Sequence, residues 1–280
     1  MLSKNIYYKS KKLRNMIFDF FNSLIEGIAI YIITSIGAFF LGSGFRWIIN
    51  QLKIRRLKQF FGKSSNNPDQ IKLIVPVLHP REDVIDGKVI YHYKKPFDNE
   101  IKAWSGPENV MAVADIKAAA SLMSLLEPLT PQAKEPITDE DSLDYEDGCL
   151  ICIGSPLSNS KAKLLMEDVE PSVLSWVKTP KDPYNQLLQL KSGKEFTSTK
   201  TEDYGLILKI ENKHSEGDFA FIIGGITHFG TIAAARFLKK NWKKLNNKAD
   251  RNPFICVIQV DKINMERLLE VHFETIEKSF

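Results

Sequence analysis

The residues best placed to do chemistry lie in one short stretch, Phe219 to Leu238, with the sequence FAFIIGGITHFGTIAAARFL. Gly224, Gly225 and Gly230 alternate there with Thr227, His228 and Thr231. Small residues let a backbone approach a ligand closely, and the free amides that open a helix favour an anion. His228 is the one titratable group of the turn, and it could protonate or polarise a ligand. Asp261, or the pair Glu82 and Asp83, could supply a carboxylate for hydrolysis.

The elements around this turn have a readable pattern. Phe219 to Ile223 is a short apolar run between glycine-bearing segments, which predicts a strand covered on both faces. Thr227 to Leu238 predicts a helix packed on a sheet. Gly225-x4-Gly230-Thr231 has the glycine spacing of a phosphate-binding P-loop, but Gly230 stands where that motif carries lysine. An alternative reading is a tight strand-to-helix turn whose glycines serve only the fold.

A second unit of the same kind comes earlier. Cys149 to Ile153 reads as a buried strand, Gly154 to Asn159 as a loop of small and polar residues, and Ser160 to Glu167 as a helix. In open α/β sheets, ligands bind beyond the carboxyl ends of the strands. The expected ligand set is therefore Gly154, Ser155, Ser158 and Asn159 with Gly224, Gly225, Thr227, His228, Gly230 and Thr231, provided the two loops converge.

Other segments are read as follows. Lys72 to Leu78 and Lys88 to Tyr93 predict strands, with His79 to Asp83 a polar loop between them. Pro107 to Leu126 predicts a helix. Residues 128–148 are acidic and proline-rich, which predicts a solvated loop, and residues 168–203 read as irregular and polar. Tyr204 to Glu211 predicts a strand in an antiparallel hairpin with the central one, Phe254 to Val260 a last strand, and Ile263 to Phe273 is ambiguous between strand and helix. The three cysteines, Cys149, Cys152 and Cys256, have no second ligand pair and read as buried strand residues in a reducing compartment. No metal or cofactor is expected beyond a nucleotide-like ligand.

The first seventy residues differ from the rest. They carry 11 Lys+Arg and 3 Asp+Glu, whereas the remainder carries 27 and 31. A mildly acidic main domain argues against nucleic acid as its partner. Leu13, Met16, Ile17, Phe20, Phe21 and Leu24 form one helical stripe beside lysines. Gly27 to Phe45 contains no charge over nineteen residues, which at about 1.5 Å rise each spans the hydrocarbon of a bilayer. This predicts a single transmembrane helix. Five basic residues precede it and six follow it up to Lys63, so the expected orientation places the carboxyl-terminal domain in the cytoplasm, on the inner (plasma) membrane. Thr34, Ala38 and Gly42 share a face that permits helix association, so a homo-oligomer is expected. The predicted division is a membrane part (1–61), a linker (62–70) and an α/β domain (71–280).

The pattern Gly154-x-Pro156-x-x-Asn159, Tyr204-Gly205 and Gly225-x4-Gly230-Thr231-x-x-Ala234 resembles a set of uncharacterised prokaryotic Rossmann-like proteins over residues 70–260. The layout of one anchor before a nucleotide-fold domain is similar to membrane effectors of bacterial antiphage defence. The resemblance implies a Rossmann-like, mainly parallel sheet with flanking helices and a sensor or effector that binds a nucleotide-like ligand. Two alternatives stand beside it: a nucleotide- or nucleoside-cleaving enzyme using His228 and a carboxylate such as Asp261, and a scaffold that binds a protein partner through its acidic loop.

Overall fold

The computed structural model describes residues 24, 28, 31–32, 34–35, 44–77, 79–85, 88–94, 111–130, 135–169, 173–179, 182–264 and 267–276. The chain divides into two units, Met1–Arg55 and Arg56–Phe280. Residues 24, 28, 31, 32, 34 and 35 are helical, and residues 44–61 are helical as well (α1), the last six of them, 56–61, belonging to the second unit. The amphipathic helix and most of the apolar span expected from the sequence lie outside the described residues. Among the described residues, no helix is long and apolar enough to cross a membrane.

The second unit is a mixed α/β domain with a mainly parallel central sheet and flanking helices. Its elements are β1 (Ile71–Val75), β2 (His79–Ile85), β3 (Lys88–Lys94), α2 (Val113–Leu126), β4 (Ile137–Thr138), β5 (Cys149–Ile153), α3 (Ser160–Glu167), β6 (Leu174–Thr179), β7 (Asp182–Leu190), β8 (Glu195–Thr197), β9 (Glu202–Glu211), β10 (Phe219–Gly225), α4 (His228–Ala249), β11 (Phe254–Asp261) and β12 (Leu268–Thr275). The seven-stranded sheet has the order β12-β11-β9-β10-β5-β1-β4. Strands β4, β1, β5 and β10 pair in parallel, while β9 runs antiparallel to β10 and β11, and β12 antiparallel to β11.

Alternation along each strand divides the core into two layers. One face carries Ile207, Phe221 and Phe254, on which α4 places Trp242 and the end of α1 places Phe60 and Phe61. The Phe60 ring lies 5.4 Å from Phe221 and 6.2 Å from Trp242. The other face carries Leu150, Cys152, Leu206, Leu208, Ala220, Ile222, Ile255 and Val257. It packs against Ala162 and Leu165 of α3 and against Leu174, Leu188, Leu190 and Phe196.

Those last four residues belong to an antiparallel β6-β7-β8 sheet. This corrects the irregular reading of residues 168–203. Leu188 and Leu190 are buried while Leu187 and Gln189 between them are only half-buried, so the strand shows a single apolar face that composition alone hides. His79 to Asp83 is likewise corrected from loop to strand: β2 pairs with β3 in a ribbon separate from the main sheet. Helix α2 starts at Val113, since Met111 and Ala112 are not helical, and Pro107 to Val110 lie outside the described residues. Of the ambiguous segment Ile263 to Phe273, Leu268 onward is strand, β12.

In the stretch expected as a linker, Lys63, Asn66, Asn67, Asp69 and Gln70 are exposed, while its first residues are held to the domain. Gly62 bridges to Asp218, and Ser64 and Ser65 are buried. The Asp218 carboxylate accepts from Ser64 N–H at 2.5 Å and from Ser215 Oγ at 2.6 Å, and also binds the Ser64 hydroxyl. Cys149, Cys152 and Cys256 are free thiols buried in strands. Burial pushes Cys152 and Cys256 up to about 12 and raises Cys149 further, so all three stay protonated.

Candidate functional site

The two glycine-bearing loops do converge. Strands β5 and β10 are parallel neighbours with Ile153 opposite Ile223, so their following loops leave the same edge side by side. Gly154 N–H donates to Ile223 C=O at 3.0 Å. A Cβ on Gly224 would lie 2.7 Å from the Gly154 carbonyl oxygen, closer than side-chain carbons approach. The carboxyl end of β11 and the amino end of β9 meet this edge too, since Asp261 pairs with Glu202 and Gly205 with Gly225.

The helix openings at this edge are already occupied by the protein's own carboxylates. Asp203, fully buried at the start of β9, reaches across to the first turn of α4. Its Oδ2 accepts from Gly230 N–H and from Thr227 Oγ1, each at 2.6 Å, and its Oδ1 accepts from Thr227 N–H at 3.3 Å. The amides that the sequence offers to a phosphate thus hold a fixed internal anion, and the helix dipole favours it there.

Helix α3 is closed in the same way. Asp139, also fully buried, accepts from Ser160 N–H at 2.6 Å and from Val77 N–H at 2.9 Å. Asn159 caps the helix locally: Ala162 N–H donates to its Oδ1 and its Nδ2 donates to Ile153 C=O, both at 2.8 Å. Asp139 corrects the reading of residues 128–148 as wholly solvated. Asp141, Asp144, Glu146 and Asp147 of that segment are exposed.

The glycines are set by packing. A Cβ on Gly230 would fall 2.1 Å from the Tyr204 carbonyl oxygen, one on Gly205 would fall 2.4 Å from the Gly230 carbonyl oxygen, and one on Gly225 2.2 Å from Thr231 N. Helix α4 lies directly against the backbone of β9, and only glycine permits that approach. Thr231 is buried behind this contact.

The remaining residues of the expected set are distributed along the edge. Ser155 is buried, Ser158 half-buried, and Ser158 Oγ donates to Ser155 C=O at 3.1 Å. Thr227 is half-buried and His228 is exposed, with its ring 4.0 Å from that of Phe229. Asp261 is half-buried, and its Oδ1 accepts from Ile263 and Asn264 N–H at 2.8 and 3.2 Å. Among the described residues, no hydrogen bond joins His228 to Asp261, and no group of three or more His, Cys, Asp or Glu is arranged to hold a metal.

A cavity of about 490 Å³ opens away from this edge, between β1 and α2. Ile71, Leu73, Met123 and Leu126 give it an apolar floor, and Lys72, Tyr145, Glu127 and Glu135 line it. Lys72 Nζ stands 4.0 Å over the Tyr145 ring. Its size lies within the range of small-molecule sites, roughly 300–1,000 Å³. Sequence reading passed over it because its wall joins residues 50 or more positions apart in the chain.

Asp203, Asp139 and Lys209 were also missed. Lys209 is fully buried in β9, with its ammonium 3.6 Å from the Phe219 ring and donating to Arg251 C=O at 3.2 Å. Burial pulls its pKa down to about 7. The only signal in the sequence was a charged residue inside an apolar strand, Leu206 to Ile210. Comparison of the chain with protein-family models, with curated proteins and with solved structures gave no match.

Proposed function

We propose that this chain is a single-pass, membrane-anchored sensor or effector whose α/β unit binds a nucleotide-like ligand at the carboxyl edge of its sheet, and that it serves in antiphage defence. The carrying observation is the abutment of the Gly154–Asn159 and Gly224–Thr231 loops at the ends of adjacent parallel strands. Asp203 constrains the pose. A phosphate placed at the opening of α4 would meet a buried carboxylate, so the base and sugar face Thr227, His228 and Ser158 while the phosphates point to solvent. The anchor is the charge-free stretch Gly27 to Phe45, and Leu24, Ile28, Tyr31, Ile32, Phe45 and Trp47 expose large apolar surfaces.

A second reading is favoured by the 490 Å³ cavity, which would hold the ligand against Met123 and Tyr145 instead. Thermal unfolding of the full chain in detergent, titrated with adenosine, ATP and cyclic oligonucleotides, tests both. A binder at one hundred times its Kd adds about 2.7 kcal/mol. The edge reading expects a Ser158→Arg variant to lose that shift and Met123→Trp to keep it. The cavity reading expects the reverse. No shift with any of these compounds sinks both.

A further inference from the structure

The two margins of the central sheet are built differently. At one, β4 is two residues long and gives a partner little to pair with. At the other, β12 runs for eight residues, LLEVHFET, without proline or lysine, and its outer side has no strand partner among the described residues. Leu268, Leu269 and Val271 are exposed there. Proteins blunt open strand edges with short strands, proline, lysine or bulges; from Glu270 to Thr275 β12 is regular and has no proline or lysine, and its one register shift against β11 falls at Leu269.

The outward backbone groups can be assigned. Ile276 N–H donates to Pro253 C=O, and the register to β11 is regular from Thr275 to Glu270. Glu274 and His272 therefore turn their peptide groups toward β11, and Val271, Phe273 and Thr275 turn theirs outward.

The segment Leu269-Glu270-Val271-His272-Phe273 is chemically self-complementary when read against its own reverse. With Val271 opposite Val271 of a second copy, Glu270 stands opposite His272, and Leu269, skipped in the register with β11, lies at the end of the regular pairing. Both polar side chains are already positioned: Glu270 bridges to Lys194 at 2.7 Å, and His272 Nε2 lies 2.7 Å from a Glu274 carboxylate oxygen. Cross-strand pairing would extend these contacts into a row in which each Glu270 carboxylate faces a His272 ring of the other copy. We propose that β12 is a homodimer interface, in which two copies of this chain pair antiparallel about a two-fold axis through Val271 and continue one sheet into the other. Such an isologous contact closes on itself and does not propagate.

Site-specific disulfide trapping of the full chain tests this. In a hydrogen-bonded antiparallel pair, opposed Cα atoms lie about 5.5 Å apart, within disulfide range. Val271→Cys is expected to give a disulfide-linked dimer on mild oxidation. Thr275→Cys, also exposed, is the register control, because its two copies would lie eight residues apart, about 27 Å at strand rise. The native cysteines are buried and form no background. Trapping at 271 and not at 275 is the expected result. Trapping at both alike, or at neither in chains that retain the wild-type circular dichroism spectrum, would overturn the interface.

Discussion

Asp203 on β9 binds the amide of Gly230 on α4 at 2.6 Å, and the same carboxylate holds both the amide and the hydroxyl of Thr227. One buried side chain therefore joins β9 to the turn after β10 and to the helix that follows it. It also fills the position that a bound anion would take. The glycine spacing is thereby explained by packing, and the chemistry of the turn is that of a satisfied internal carboxylate.

Replacing Asp203 should separate these roles. Asp203→Ala leaves two amides and a hydroxyl without their acceptor. A loss of about 3–5 kcal/mol is expected in urea unfolding followed by circular dichroism. The vacated amides should then accept an added anion. Sulfate is expected to raise the Tm of Asp203→Ala more than that of the wild type, and equal shifts would show that no anion site had been uncovered.

The Gly205–Gly230 contact sets a second expectation. A methyl at either position meets backbone at 2.4 or 2.1 Å, so α4 would have to lift from β9. Gly205→Ala and Gly230→Ala should each cost about 3 kcal/mol or more, at the upper end for small-to-large core changes. Gly193 has open space around it and a positive φ of 80°, so Gly193→Ala should cost only about 1 kcal/mol. Similar losses at all three positions, measured by chemical unfolding, would contradict the packing account.

Lys209 gives a pH dependence with a definite sign. Its pKa falls from about 10.5 unfolded to about 7 folded, because burial opposes the charge. Between these values the unfolded chain binds a proton that the folded chain does not. The contribution of Lys209 to stability is thus most favourable above about pH 10.5, declines as pH falls, and levels off below about 7. Lys209→Met should flatten that slope and raise the Tm at pH 7. An unchanged slope in the variant would show that Lys209 is not its source.

The Asp218–Ser64 pair ties residues 62–66 to the turn before β10. Asp218→Ala leaves the buried Ser64 amide without its acceptor and removes the Ser215 contact as well. A loss of about 2–3 kcal/mol is expected, with faster amide exchange confined at first to residues 62–66. Exchange unchanged there would place the docking of this segment elsewhere, on the Phe60 and Phe61 rings.

The proposed anchor is tested by alkaline carbonate extraction of membranes from cells that make the full chain. The chain is expected to stay in the pellet, and a variant with Ile32, Ile36 and Leu41 each changed to Asp is expected to move to the supernatant. Each acid costs about 2.5–3.5 kcal/mol near the centre of a bilayer. Equal partition of both would count against a spanning helix.

Periodicity and punctuation determined much of this protein without a structure. The apolar runs of β5, β10 and β11, the alanine-rich face of α4 and the β9–β10 hairpin follow from local rules about which residues fit buried strands and helix faces. The two loops could also be named, because glycines and small hydroxyl residues after a strand are a local signal. Tertiary structure alone decided what those loops contain. Asp203 lies 27 residues from Gly230, and Asp139 lies 21 from Ser160, so their capping is set by strand order, which no local pattern encodes. Burial decided the rest. A carboxylate or ammonium looks solvated in a sequence, and only the surrounding fold determines whether it meets water, a helix amide or, like Lys209, the face of a phenylalanine.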